Sequence, residues 1–448
     1  MNILFLVLAL LGIVIGTLPI VVWWLGRLRE KRRQMLKDII KRGIDKFISY
    51  NKLYQKLYAY HKIDISQTNA NYSAITLNYF KNTIGSSLTF AKFEDRYAFP
   101  LFFRHSWLLS RSKSLDFKLK TIDSHTKLPE NSLNRPTQMF LKKFGISDYC
   151  DFLSKECEKN IWDQETFDLY AMYQKNGILE FTCCMGMYSN FAQTYELVQK
   201  ELYYNFVCGK HDFALRKTIN FAHLEDYHSR PAKIGLNVCL VMKRPDGGDT
   251  LFIHKRRETL VEYPGFYHVI PAGTFQPVTT VDRDKQFNFT YSIAREILEE
   301  LFNMEEADKT FRKDDPMKIF SLPVTRQGLP TIVPGKILFG ENPDLDKTFT
   351  NNFDLVPTGF LVDILSFKPE LLFFMYVKNP EIYRILDDYI EKNWEGEGIF
   401  KCDITGYKYN RNAYKFIEPL ITVDYFLPAG AVAICEGLKY YEENIKNR

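Results

Sequence analysis

The sequence predicts a mixed α/β protein. It places a mixed sheet between helices in the C-terminal half, a further α/β module before it, and a membrane helix at the N-terminus. Three observations carry this. A strand–turn–strand pattern at 234–254 leads, some forty residues on, to an amphipathic helix with three carboxylates on one side. Short strand-like and helical runs alternate through 61–225. The segment 3–25 contains no charged residue.

The N-terminal segment comes first. Residues 3–25 are mostly Leu, Ile and Val, and at 1.5 Å per residue they are long enough for a ~30 Å hydrocarbon core. Pro19, Gly12 and Gly16 are tolerable in a membrane helix. Trp23 and Trp24 stand at its end, where aromatic rings favour the interface, and Arg27, Arg29, Lys31, Arg32 and Arg33 follow. A cleaved signal peptide, the alternative, would need a basic start, a shorter apolar core and small residues at a cleavage site. The expectation is an uncleaved single-pass anchor at 1–26, embedded in the lipid bilayer, with the globular body cytoplasmic.

Residues 27–42 carry eight Lys/Arg against two acids, a net +6, while the whole chain is +5. The basic balance therefore belongs to the membrane-flanking segment. No nucleic-acid-binding surface is expected from it, and anionic lipid head groups are its natural neighbours. The same charges also read simply as a topology signal. Met35, Leu36, Ile39, Ile40, Phe47 and Ile48 recur at helical spacing, so 27–60 reads as a basic juxtamembrane amphipathic helix. It would serve as a stalk, as a seam for an oligomer, or as a helix packed on the next domain.

Residues 61–225 read as an α/β module of unassigned role. Strand-like runs at 88–92, 98–103 and 178–184 alternate with helical stretches, notably 192–204. No phosphate-binding glycine loop or nucleophile elbow occurs in it. The eight cysteines include no Cys-x-x-Cys pair, and no histidines have zinc-ligand spacing, which suits a reduced compartment. Sequons at Asn71 and Asn288 would matter only with the topology reversed.

Residues 226–448 form the second unit. A β-branched strand at 234–242, a Pro-Asp-Gly-Gly turn and a returning strand at 250–254 end in Lys255, Arg256 and Arg257. Pro-Gly loops at 263–267 and 271–273 follow. In the next helix, Glu296, Glu299 and Glu300 fall within ~100° of arc, with Ile293, Ala294, Ile297, Leu298 and Leu301 opposite. Clustered carboxylates are the hard oxygen ligands that Mg²⁺ or Mn²⁺ requires. The plainer alternative is a solvated acidic face. Beyond it, 317–322 and 331–339 read as strands about a turn, 371–377 as a buried strand, and 382–393 as a helix. Residues 428–443 read as a closing helix with Ala431, Val432, Ile434, Cys435 and Leu438 inward.

This order of hairpin, basic strand end, Pro-Gly loop and acidic helix resembles the Nudix family. The family signature is Gly, five residues, Glu, seven residues, then Arg-Glu-aliphatic-any-Glu-Glu-any-Gly-aliphatic. Gly273 stands for the opening glycine, and Arg295, Glu296, Ile297, Glu299 and Glu300 match the second half in type and spacing. The resemblance covers roughly 230–448 and implies an α+β Nudix-like sandwich. It assigns the Mg²⁺ or Mn²⁺ site to Gly273, Glu296, Glu299 and Glu300, and the attacking water to the glutamates. Arg295 would brace loop and helix by a salt bridge.

The departures are specific. Positions 274–294 make twenty-one residues where the family has thirteen. The isolated glutamate falls at Phe287, with Asp282 and Asp284 as substitutes, and the late glycine and aliphatic positions are Phe302 and Asn303. Members of the family supply a further acid from a later loop, for which Glu370, Glu395 and Glu397 stand available. Lys255, Arg256 and Arg257 could meet phosphate. The expected function is metal-dependent hydrolysis of a nucleoside diphosphate-linked compound at a membrane. The alternatives are a nucleotide-binding sensor without catalysis, and a structural scaffold.

Overall fold

A computed structural model describes residues 91–93, 97–99, 101–111, 115–121, 134–143, 146–157, 164–199, 201, 215, 224–257, 260, 262–263, 265–279, 281–304, 315–341, 343–345, 347, 350–390, 395–405 and 426–446. The expected anchor at 1–26 and the basic helix at 27–60 lie outside these. Among the described residues no helix is long and apolar enough to cross a membrane.

Two short strands, β1 (Ala91–Phe93) and β2 (Tyr97–Phe99), pair antiparallel, and β3 (Leu101–Phe102) follows. Strand β4 (Asp116–Thr121) precedes helices α1 (Asn134–Lys143) and α2 (Tyr149–Glu156). Strands β5 (Glu165–Lys175) and β6 (Ile178–Met187) form a hairpin whose turn uses Asn176 and Gly177, both at positive φ. β4 joins β6 in parallel, giving a three-stranded sheet in the order β4-β6-β5. Helix α3 (Tyr188–Phe191) then runs into a π-helical turn at Ala192–Glu196.

The larger sheet is mixed and curled. Strands β7 (Gly235–Lys243) and β8 (Asp249–Arg256) leave the 244–248 turn as a hairpin, paired only from Val241–Lys243 to Asp249–Leu251. Beyond that they splay. β8 takes up β9 (Tyr267–Val269), and β7 takes up β10 (Ala272–Thr274). After short helix α4 (Arg283–Gln286), helix α5 (Phe289–Phe302) and helix α6 (Pro334–Phe339), strands β11 (Phe353–Asp363) and β12 (Pro369–Val377) return as an antiparallel pair. β12 lies parallel to β7, helix α7 (Pro380–Leu386) follows, and β13 (Gly396–Asp403) closes on β8. The path is β13-β8-β7-β12-β11-β3.

All nine residues of β12 are buried. A continuous apolar run is what a strand covered on both faces requires. Successive side chains point to opposite faces, and the neighbours of Phe373 and Phe374 show what covers each. Phe373 meets Phe289 of α5, with ring centroids 5.8 Å apart. Phe374 lies against Gly437 of helix α8 (Pro428–Asn444), which also presses on Cys239 of β7. The sheet is therefore held between α5 and α8. Ala431, Val432, Ile434, Cys435 and Leu438 face inward as expected.

The smaller sheet shares this core. Phe117 and Phe181 pack on Phe289, and Phe167 packs on Phe275 and Phe287. The backbone N–H of Phe167 donates to Phe275 at 3.0 Å, and that of Leu169 to Ala232 at 2.9 Å. One hydrophobic core thus spans residues from Leu101 to Ile445.

Three expected elements differ. Residues 317–322 and 331–339 are not a strand pair. Pro316–Ser321 is a 3-10 helix, Pro334–Phe339 is α6, and the bridge between Val324 and Ile332 is what remains of the pairing. Pro316 and Pro334 each occupy a helix start, where the missing N–H costs nothing, whereas in a ladder it removes a bond. The helix expected over 382–393 starts at Pro380, capped by Asn379, and gives way to a 3-10 turn at Asp387–Tyr389.

Candidate active site

Helix α5 sets the site. Asn288 caps it, its side chain accepting from the backbone N–H of Thr290 at 2.7 Å and Tyr291 at 3.2 Å. The sequon asparagine is thus a helix cap here. Asn303 ends the helix in the left-handed conformation, φ 50°. That places the helix-terminating residue one position after Phe302, which is free to be a core side chain. Arg326 donates to the Phe302 carbonyl at 2.9 Å, a cation at the negative end of the helix.

The expected alternative of a solvated acidic face does not occur, because all fourteen residues of α5 are buried. Arg295, only 2 % exposed, forms ion pairs with both Glu296 and Glu299. It therefore links two acids of its own helix. Glu300, also 2 % exposed, accepts the Ala272 N–H on Oε2 at 2.8 Å, and its Oε1 has no hydrogen-bond partner. That bond joins the helix to β10, where the sheet splays.

Gly273 is required by close approach. A Cβ there would stand 2.1 Å from Glu296 Oε1. Arg295 and burial prevent that carboxylate from swinging aside. Gly273→Ala is expected to displace Glu296 and lower stability by about 1–3 kcal/mol. A shift in the thermal melt checks this.

A fourth acid comes from the start of β13. The Arg257 N–H donates to the Glu395 carbonyl at 2.8 Å, and Gly396 lies opposite Arg256. Glu395 is thereby brought within electrostatic reach of Glu296 and Glu300. Of the three later acids considered, it is the one that joins the helix. Glu397 pairs with Lys255 at 2.7 Å, and Glu370 lies with Lys368 at 3.3 Å and Asn237 at 2.8 Å. Asp282, just before α4, and Asp284 on it are exposed, with Asp282 paired to Lys285, and they do not replace the missing glutamate. Phe287, at that position, packs on Phe167 and Phe275.

The electrostatics follow from crowding. Burial, opposed by Arg295 and reinforced by Glu299 and Glu395, pushes the Glu296 carboxyl up to about 8. Burial and repulsion from Glu296 and Glu395 raise Glu300 well above the usual carboxylate range, against the pull of the Ala272 N–H and Arg256. Burial raises Glu395 too, against Arg256. Among the described residues, Arg295 and Arg256 are the guanidiniums that bear on these carboxylates, and Lys233 also acts on Glu395.

A second buried group adjoins the first and has no counterpart in the sequence reading. Glu262 accepts from Lys233 and from Lys368, the latter at 2.9 Å. Although burial works against it, the two lysines hold the Glu262 carboxyl far below its ordinary range. Lys233 is fully buried beneath the rings of Tyr188 and Phe191, 4.2 and 4.5 Å from their centroids, and burial lowers its ammonium to about 8. No local sequence pattern announces this group, since its partners lie 29 and 106 positions apart. A cleft of about 410 Å³ beside Met317, Phe320 and Lys336 shares none of these residues.

The donor set suits a hard divalent cation: carboxylate oxygens, among them a buried Glu300 Oε1 without a hydrogen-bond partner. Among the described residues no three acid, His or Cys side chains already converge at ligand distances. The Arg295 pairs hold Glu296 and Glu299 as they stand. No protein-family model matches the chain, and no curated protein matches it.

Proposed function

We propose that this chain is a membrane-anchored, Nudix-like hydrolase that cleaves a nucleoside diphosphate-linked compound using Mg²⁺ or Mn²⁺. The observation that carries the reading is the cluster of Glu296, Glu299 and Glu300 on a fully buried helix, with Glu300 Oε1 lacking a hydrogen-bond partner and Glu395 within electrostatic reach. Ionising such acids in the interior is costly, so a cation beside them would be held strongly. The helix following a Pro-Ala-Gly loop, and a mixed sheet held between helices, add support from the fold.

Glu296, Glu300 and Glu395 would hold the cation, with Glu299 tied to Arg295. Once bound, the cation supplies charge neutralisation at phosphorus and makes a water more acidic. Glu300, whose Oε1 has no hydrogen-bond partner, would accept the proton of the attacking water. Arg295 fixes the carboxylates and does not touch substrate. The buried helix and its aromatic neighbours exclude bulk water, which strengthens each of these interactions.

A second reading, a nucleotide-binding sensor without turnover, is favoured by one observation: Phe287 and its aromatic packing replace the isolated glutamate. The test is a panel of nucleoside diphosphate derivatives incubated with the full chain, with and without Mg²⁺ or Mn²⁺. Cation-dependent product release is expected, and Glu299→Gln combined with Glu300→Gln should remove it without unfolding the protein. Turnover unchanged in that double variant would defeat the catalytic assignment. Thermal stabilisation by one compound without cleavage would select the sensor.

A further inference from the structure

Strand alternation separates the three basic residues at the end of β8. Lys255 turns to Glu397, and the Arg257 Nε donates to the Gly396 carbonyl at 3.1 Å. Arg256 shares its face with His254 and looks toward the acids, lowering the proton affinity of Glu300. It is also within electrostatic reach of Glu395, His268 and Tyr188. Its one side-chain hydrogen bond among the described residues runs from Nε to the Glu262 carbonyl at 3.3 Å. Among the same residues it makes no ion pair with the carboxylates around it, although Arg295 takes two.

An arginine set among acids but bonded to none of them keeps both Nη groups for a ligand. We propose that Arg256 is the phosphate-binding residue of this site, gripping one phosphate of a diphosphate in a two-point contact opposite Glu300 and Glu395. This deepens the hydrolase reading and rests on it. The planar fork matches two phosphate oxygens, whereas a lysine offers a point charge. A phosphate placed there lies between the guanidinium, which neutralises it on one side, and a cation that the acids would hold on the other. His254 and His268, opposite one another on β8 and β9, lie within electrostatic reach of Arg256. Both are buried with rings 6.0 Å apart, and burial followed by the neighbouring arginine keeps both uncharged at neutral pH. They add no competing positive charge. The attractive anion-binding element on this face is Arg256, with Lys233 and Lys368 already committed to Glu262.

Calorimetric titration of the full chain with ADP and with inorganic pyrophosphate tests this, alongside thermal stabilisation by Mg²⁺ alone. Arg256→Gln should weaken both ligands at least tenfold and leave the Mg²⁺ response intact. Arg256→Lys, which keeps the charge and guards against a folding defect, should recover part of the affinity. Lys255→Gln, on the opposite face, should change nothing. If Arg256→Gln binds both ligands like the wild type while Mg²⁺ still stabilises, the Arg256 assignment falls and the cation site stands. Should Mg²⁺ fail to stabilise the wild type while Arg256→Gln still loses the ligands, the anion site stands and the hydrolase reading falls. Wild-type protein that binds neither ligand overturns the assignment outright.

Discussion

Arg295→Ala is expected to destabilise the protein by about 3–5 kcal/mol at pH 8, read as a shift in urea midpoint. The guanidinium is nearly inaccessible and neutralises two carboxylates on a helix with no exposed face. Its loss removes the positive charge that opposes the upward shift of Glu296 and breaks the ion pair with Glu299, and removing one partner of a buried pair costs far more than the pair contributes. Arg295→Lys retains the charge but spans two carboxylates poorly, so its loss should be smaller. The penalty must also depend on pH. Protonated carboxyls need no partner, so Arg295→Ala should cost less at pH 5 than at pH 8. Added Mg²⁺ should restore part of the loss at pH 8, because it supplies the missing positive charge. A cost below about 1 kcal/mol at pH 8 would mean that the two ion pairs are not buried as described.

The carboxylates themselves were legible, because helical spacing places Glu296, Glu299 and Glu300 together whatever surrounds them. Their burial was not. The covering comes from Ala272 and Gly273 on β10 and from Glu395 before β13, segments that no periodicity within α5 reveals. The choice of Arg256 over Lys255 and Arg257 lay within reach, since alternation along β8 puts them on opposite faces. Only the fold says which face meets the acids. The prolines at 316 and 334 were visible, and they mark helix starts that a reading by β-branched content alone turns into strands. Lys233, Glu262 and Lys368 were beyond sequence reasoning, as each is an isolated charge whose partner is supplied by chain closure. Phe287 marks the converse case. Its identity was plain in the sequence, but the aromatic cluster with Phe167 and Phe275, drawn from the smaller sheet, explains why a carboxylate has no place there.

Glu300→Gln should change the stability profile as strongly as it changes turnover, and in a direction fixed by linkage. The Glu300 carboxyl titrates well above its ordinary 4.5, and Glu296 at about 8. Between those values the folded chain keeps protons that the unfolded chain has released. Without a divalent cation, stability must therefore fall as pH rises from about 4.5 towards 8, by on the order of a few kcal/mol. His254 acts at the other end. Burial, then Arg256, lowers it to about 3 from an ordinary 6.5, so stability is lost as pH falls from 6.5. Opposed slopes make a maximum on the acid side of neutrality for the cation-free protein. Glutamine carries no charge to bury, so Glu300→Gln should flatten the alkaline limb and raise the melting temperature at pH 8 in a chelator. A cation bound there would reverse the slope, since it takes only the ionised carboxylates. Stabilisation by Mg²⁺ should grow with pH in the wild type and be largely absent in Glu300→Gln. Cation-dependent turnover should fall by about 10²–10³-fold in the same variant. Melting curves from pH 5 to 8.5, with chelator and with Mg²⁺, measure every term. A wild-type alkaline limb as flat as that of Glu300→Gln would mean that Glu300 is not held protonated by burial, and the case for a cation at this helix would lose its main physical support. If the limb is steep and Mg²⁺ removes the slope, the stability that the fold gives up in burying these acids is the same free energy that the cation restores on binding.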